Sequence, residues 1–451
     1  MAVASHETVS ERSLFSLAWP VSVTLAVGIA QPAMDTFFLA QVSEEAASGV
    51  GALIPVFAAL MILINTAGQA GSMVAGQFLG ARRVRLAYAT YAFLQAVMIG
   101  MGLVIGLVMV GFADTIAWIM GLSGEAAEHA SMFLRVLGCG MGGRALWTSM
   151  INILASQGRT GWNLAASVVA LAINAILNGL FLSDLLPWGG LGTYGVGLAT
   201  ILSWMFVSLG LMFVLSKRLG YHPRWIDVGL GRRNALYPLV RIGLPAMAEP
   251  ISYQLFQVVL ASQVTRLGDV GLKARVFAMT LANIAVVFSY GPGFAAQIVT
   301  AHLVGAGREN EVYRRLKHAT AWACGGALVS ACLVAYFSPW MLRGYTVNPV
   351  VIALGVKLLW IDAALQPAKA ANIALTFSLR AAGDSLFPAV VGSGVMWTLG
   401  LMSALVFAYG FHWGVAGIWL GMALDEWVRS VLNTWRWKSG GWKGHGVGSA
   451  A

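Results

Sequence analysis

Charge is what this chain most lacks. Of its 451 residues only 10% are Asp, Glu, Lys or Arg, against about 25% in ordinary soluble domains. Hydrophobic residues make up 58% of it, and the mean hydropathy is +0.76. A protein core cannot hide so much apolar surface, so lipid must cover a large share. Cysteine is scarce too. Cys139, Cys324 and Cys332 all fall in apolar stretches, so neither a disulfide framework nor a metal cluster is expected. The seven histidines are scattered without ligand spacing. No phosphate-cradling glycine loop is present, which argues against ATP hydrolysis. A pair of aspartate-rich motifs for magnesium-bound diphosphate is also missing, which argues against an intramembrane prenyltransferase. Neither an enzyme nor a cofactor is expected.

What the chain has in abundance is long apolar runs. A bilayer-spanning helix needs about 20 residues. Such stretches lie at roughly 14–40, 49–78, 87–112, 126–157, 160–183 and 194–216, then 235–265, 271–300, 314–338, 347–380, 383–409 and 413–436. The N-terminal MAVASHETVSERS has little positive charge, and the apolar run after it is too long for a cleaved signal. The fold class is therefore an all-α integral membrane protein of about twelve transmembrane helices.

The net charge of +10 is a topology signal and does not point to nucleic acid. Arg12, Arg82, Arg83, Arg85, Arg159, the bases from Lys217 to Arg241, those from Arg308 to Lys317, Arg380 and the C-terminal tail hold 19 of the 28 bases, all in alternate connections. The opposite connections carry Glu44, Glu45, Glu125, Glu128 and Asp184, with few bases. The positive-inside rule then puts both termini in the cytoplasm, and the expected location is the plasma membrane of a bacterium. Tryptophans fit interfacial belts: Trp188, Trp340 and Trp413 outside, Trp435, Trp437 and Trp442 inside.

The chain matches itself at an offset of about 225 residues. Pro20 falls on Pro245, Gly68 on Gly293, Gly80 on Gly305, Tyr88 on Tyr313, Arg144 on Lys369 and Gly158 on Gly383. After a shift in the preceding loop, Gly195 falls on Gly414. Two six-span halves have equal orientation, so they form parallel, pseudo-symmetric lobes: 1–216, a basic linker 217–234, and 235–451. Two such lobes around a central cavity that opens alternately to each side make a transporter architecture.

Ionisable residues inside spans cost about 2.5–3.5 kcal/mol on insertion scales and usually serve function. Asp35 follows Pro32, which frees a backbone carbonyl in the first span, and reads as a protonatable or cation-binding group in preference to a solvated helix-end acid. Glu249, between Pro245 and Pro250, falls opposite Thr24 and so breaks the repeat. Asp362 and Lys369 are seven residues apart on one helical face. Lys369 and its repeat partner Arg144 are two cations able to pair with Asp35 or Glu249, and these groups are either coupling residues or a buried structural ion pair. Asp425, Glu426 and Arg429 share one turn of the last span, where local neutralisation is the simpler reading. Asn174 and Asn178 sit one turn apart, able to ligate a cation or to bond a neighbouring helix. Trp147 and Trp397 can line a pocket for flat cations.

Six segments resemble the multidrug and toxic-compound extrusion (MATE) transporters: MDTFFLA, GQFLGARR, NAILNGLFL, GVGLAT, GLPAMAEPIS and LRAAGDS. Together they cover essentially the whole chain. The resemblance implies a secondary antiporter that exports organic cations or amphipathic toxic compounds in exchange for Na+ or H+. It implies a cation site at Asp35, Asn174, Asn178 and Thr200, with no metal beyond a coupling Na+. Glu249, Asp362, Arg144 and Lys369 are the further substrate or coupling candidates. One branch of the family has aspartate where this chain has Asn178, and MDTFFLA ends in alanine where glycine is usual. The partners expected are a small amphipathic or cationic substrate and the lipid bilayer, with the protein acting as a monomer. The alternative is a flippase for lipids or lipid-linked oligosaccharides, which the cations Arg144 and Lys369 would suit.

Overall fold

The computed structural model of the protein describes residues 9, 11–183 and 190–447. Asp184 and Trp188, as well as most of the N-terminal segment, lie outside the described residues. Regular structure among the described residues is helical throughout. The first half contains α1 (Leu14–Val42), α2 (Glu44–Ala52), α3 (Ile54–Gly80), α4 (Val84–Gly111), α5 (Ala113–Ile119), α6 (Gly124–Ser156), α7 (Thr160–Leu182) and α8 (Gly192–Leu219). The second half contains α9 (Trp225–Arg266), α10 (Asp269–Gly305), α11 (Glu309–Arg343), α12 (Pro349–Ala381), α13 (Leu386–Gly410) and α14 (Gly414–Lys438). Helix α13 contains two π-type turns, Met396–Gly400 and Val406–Gly410.

Apart from the short α2 and α5, these helices run from 23 residues in α7 to 42 in α9. At 1.5 Å per residue the shortest is about 35 Å long, more than the ~30 Å hydrocarbon core. Among the described residues, nine are apolar enough to span by composition alone. The other three, α6, α9 and α14, carry Arg144, Glu249 and the Asp425–Glu426–Arg429 group. Their lower hydropathy goes with charges turned into protein and away from lipid. Leu107, Ile176, Leu209 and Phe213 are more than 60% exposed, as lipid-facing side chains should be.

Several local expectations change. The second span starts at Ile54, because residues before it form the separate α2, whose N-cap Ser43 Oγ accepts from the Ala46 amide at 2.9 Å. Most of the stretch 217–234 is helical, since α8 runs to Leu219 and α9 begins at Trp225. Trp437 and Trp442 are buried, stacked at 4.4 Å and 8°, and are not belt residues. The chain turns back after α14, and Val447 N donates to Gln77 Oε1 at 2.6 Å.

By packing, the chain divides into two compact units. The N-unit is Val23–Ala75 with Arg83–Leu239; the C-unit joins the start of α1 through Ser22, Gly76–Arg82 and the chain from Val240 onward. The N-unit core is built on Leu39, Ile64, Tyr91, Met98, Met141 and Trp147. That of the C-unit is built on Phe256, Leu260, Leu358, Met396 and Trp419.

Inside the C-unit the repeat becomes geometry. A Cβ at Gly80 would collide with the His302 carbonyl, and a Cβ at Gly305 with the Gln77 carbonyl. Gly80 and Gly305 are repeat partners, and so are Gln77 and His302. A Cβ at Gly76 would lie 3.0 Å from Ala301 Cβ, and these two are partners as well. The last turns of α3 and α10 thus cross through small residues spaced four apart, which lets two backbones touch in a solvent where apolar burial gives little gain. The turns that follow match too. Arg82 has φ 59° and Gly307 has φ 70°, while Gly158 and Gly383 have φ 67° and 95°. Farther along, Gly192 (φ 54°) and Gly414 (φ 56°) each open their helix, which pairs those two residues in place of Gly195 with Gly414.

Gly305→Val should lower the melting temperature of the detergent-purified protein, since overpacking costs about 1–3 kcal/mol or more. Gly100→Ala, where an added Cβ meets nothing within 4 Å, should be neutral or stabilise by up to about 1 kcal/mol. Equal melting temperatures for Gly305→Val and wild type would contradict the close crossing.

Candidate ion and substrate sites

Asp35 lies on α1, three residues beyond Pro32, whose ring nitrogen cannot donate to the Gly28 carbonyl. The helix nonetheless continues through the proline, and Thr36 Oγ1 donates to the Pro32 carbonyl at 2.9 Å. In the N-unit Asp35 meets α7 and α8. Asn178 Nδ2 donates to Asp35 Oδ1 at 3.3 Å and to Asn174 Oδ1 at 3.1 Å. Asn174 Nδ2 donates to Thr200 Oγ1 at 3.0 Å. The Thr200 hydroxyl lies 3.5 Å from Asp35 Oδ2 and 3.1 Å from the Val196 carbonyl. It has one proton for these two acceptors, so the carboxylate shares it. Asn174 and Asn178 are fully buried, Thr200 nearly so, and Asp35 is 9% exposed.

The structure therefore brings all four of these residues together. One carboxylate is surrounded by amide and hydroxyl groups, and Asn178 Oδ1 is buried without a hydrogen-bond partner. Among the described residues none of the ion pairs includes Asp35. This is a set of hard oxygen donors with one net negative charge, the chemistry suited to a small cation or a proton.

Arg144, on α6 of the same unit, is not drawn to Asp35. Its guanidinium lies over the rings of Trp147 (4.7 Å) and Trp204 (5.5 Å). Its repeat partner Lys369, on α12 of the C-unit, lies over the Tyr253 ring at 5.8 Å. With Asp362, Gln366, Asp425 and Glu426, Lys369 and Tyr253 line a cavity of about 50 Å³. That holds a few waters or a small ion but not a drug-sized molecule. Gln366 Nε2 donates to Asp362 Oδ2 at 2.9 Å. Trp397 is not among the residues lining this cavity; its Nε1 donates to Ser252 Oγ at 2.8 Å and its ring meets Phe256 edge-on.

Glu249, on α9, finds two cations in its own unit. Arg380 Nη2 reaches its Oε2 at 2.6 Å, and Arg429 Nη1 its Oε1 at 3.4 Å. Arg429 Nη2 also reaches Asp425 Oδ2 at 2.7 Å and Glu426 Oε1 at 2.9 Å. Asn372 Nδ2 donates to Glu426 Oε2 at 3.0 Å, and Asn433 Nδ2 donates to Asn372 Oδ1 at 2.7 Å. The group expected to neutralise itself within α14 thus extends to Glu249. Arg380, counted above among the cytoplasmic bases, is 4% exposed and part of this network. Its position four residues before Asp384 and the next turn made it look like a loop base, and no local signal separates the two. Asn372, Asn433 and Gln366 were missed as well, because single amides inside long helices leave no pattern.

The MatE family model matches residues 20–180 and again 245–406, once in each half. The chain is 27% identical over 430 residues to the uncharacterized transporter YisQ of Bacillus subtilis, covering 95% of this chain and 94% of that one. It is 22% identical over 424 residues to the probable multidrug resistance protein NorM of Thermotoga maritima, covering 92% and 89%. In fold it is similar to the Vibrio cholerae MATE transporter VcmN in the bent form, with a TM-score of 0.88, 16% identity and 96% of each chain covered. On the family match across both halves, the chain belongs to the MatE family, the multi-pass MATE membrane transporters.

Proposed function

We propose that this transporter is a secondary active exporter working by alternating access, which moves organic cations or amphipathic toxic compounds outward in exchange for Na+ or H+. The observation that carries the reading is the Asp35 network: one buried carboxylate whose neighbours are neutral oxygen and amide groups. One sodium ion or one proton neutralises it equally well, and either changes how α1 is held against α7 and α8. Coupling then follows if substrate and cation favour different states. The relatives named as multidrug resistance proteins support the substrate class. The protein works as a monomer in the bacterial inner membrane with both termini in the cytoplasm, as the distribution of basic residues supports.

The C-unit network has a different balance. Glu249, Asp425 and Glu426 face Arg380 and Arg429, so most of that charge is compensated inside the protein. We assign Arg429 a structural role and keep Asp362 and Lys369, which line the small cavity, and Glu249, held by Arg380 and Arg429, as secondary coupling groups.

Reconstituted in liposomes, the wild-type protein should move a fluorescent organic cation uphill when a sodium or a proton gradient is imposed, and the effective gradient names the ion. Asp35→Asn keeps the side-chain shape and removes the charge. It should cut gradient-driven transport by at least about fivefold, the lower end of typical coupling energies, with melting temperature nearly unchanged. Wild-type rates in Asp35→Asn would overturn the assignment. Arg429→Met should do the reverse at the level of stability. It leaves buried carboxylates uncompensated, at a cost of about 3–5 kcal/mol, seen as loss of the folded peak in size-exclusion chromatography.

A further inference from the structure

Buried N–H groups without an acceptor are uncommon in native proteins, and each needs a reason. Three belong to one cluster in the N-unit: Arg144 Nε, Trp147 Nε1 and Trp204 Nε1 are enclosed and make no hydrogen bond. Arg144 takes part in none of the ion pairs among the described residues. Among the other buried guanidiniums of spans, Arg380 and Arg429 each close on carboxylates at 2.6–2.9 Å, and Arg275 Nη2 donates to Gln257 Oε1 at 2.8 Å. Lys369, the repeat partner of Arg144, shares its cavity with three acids. Arg144 alone of this pair has an aromatic floor and no counter-charge. Trp147 and Trp204 cover its faces, and Phe57 stacks on Trp204 at 6.3 Å and 12°. As a residue it is half-buried, so part of the side chain is accessible while Nε is enclosed.

A guanidinium and two indoles offer only donors. A fixed positive charge, unpaired donors and flat apolar rings together select a partner with a planar acceptor group and an apolar body. A carboxylate or another oxyanion engages the guanidinium edge bidentately while the faces stay stacked. We infer that Arg144, Trp147, Trp204 and Phe57 form a binding site for the acidic group of an amphipathic organic anion. Anionic amphiphiles are then among the molecules this transporter handles, beside organic cations. Binding stands independently, whereas movement of the anion across the membrane rests on the export reading above.

The test uses the full-length protein in nanodiscs of phosphatidylcholine. Affinities are measured for 2-naphthoate and for a naphthalene of the same ring bearing an aminomethyl group. Wild type should bind the carboxylate, and Arg144→Gln should lower the carboxylate-to-amine affinity ratio by about tenfold or more, as loss of a charge-assisted bidentate contact predicts. Arg144→Lys keeps the charge without the fork and should give a smaller drop. Trp204→Phe removes an N–H and keeps an aromatic face, and should lower the ratio severalfold. No binding of naphthoate by wild type, or an unchanged ratio in Arg144→Gln, overturns the site. Should that variant fail to fold, unchanged ratios in both Arg144→Lys and Trp204→Phe overturn it instead. Repeating the titration with phosphatidylglycerol in the discs separates two sources of the same chemistry. Weaker naphthoate binding to wild type assigns the site to anionic headgroups, and unchanged binding assigns it to soluble organic acids. Dye transport in matched liposomes is read separately. Dye export without Arg144-dependent binding removes the anion site alone, and Arg144-dependent binding without dye export removes the antiport reading alone.

Discussion

The crossing of α3 and α10 through Gly76, Gly80, Ala301 and Gly305 is the contact on which the frame depends. In a bilayer, two helices gain little from burying apolar side chains, because lipid is equally apolar. What holds them is close van der Waals packing and polar bonds. Here the backbones approach so closely that a single Cβ at Gly80 or Gly305 meets a carbonyl group. Each glycine abuts the repeat partner of a residue on its own helix, so the contact reads the same from either side. Gln77 adds a polar tie, since its Nε2 donates to the Ala381 carbonyl at 2.7 Å. The adjoining turns at Arg82 and Gly307 share a left-handed backbone, which only Gly adopts without cost. Arg82 accepts that cost, evidence that the turn geometry matters more than the residue.

The frame was largely legible in the sequence. Hydropathy located the long helices, and the fixed offset exposed the two halves, because backbone-level constraints recur wherever the backbone recurs. Asn174 and Asn178 were also readable as a pair, since a four-residue spacing stacks them on one face of α7. Their meeting with Asp35 was not readable from spacing, because 143 residues separate Asn178 from it. Only the family resemblance pointed there. Arg380 was misread because composition near a helix end cannot tell a base that enters a loop from one that turns back to a carboxylate. Trp442 was misread as a belt residue for a similar reason. Its burial depends on a fold-back onto Trp437 and Gln77 that no local pattern announces.

The chemistry departs from the symmetry of the frame, and that departure is the strongest argument for where function lies. The repeat partner of Asp35 is Leu260, a fully buried core residue, and the partner of Glu249 is Thr24. A carboxylate needed only to maintain a helix pair would be expected in both halves. The two acids also differ in company. Glu249 is gripped by two guanidiniums, so releasing or neutralising it disrupts an ion network. Asp35 is held by weaker contacts of 3.3–3.5 Å from an amide and a shared hydroxyl, which a cation can replace without leaving a base unpaired. A group that must bind and release an ion in each cycle needs such modest competition. Under the proposed antiport, a symmetric frame with an asymmetric pair of acids lets one unit hold its charges while the other exchanges them.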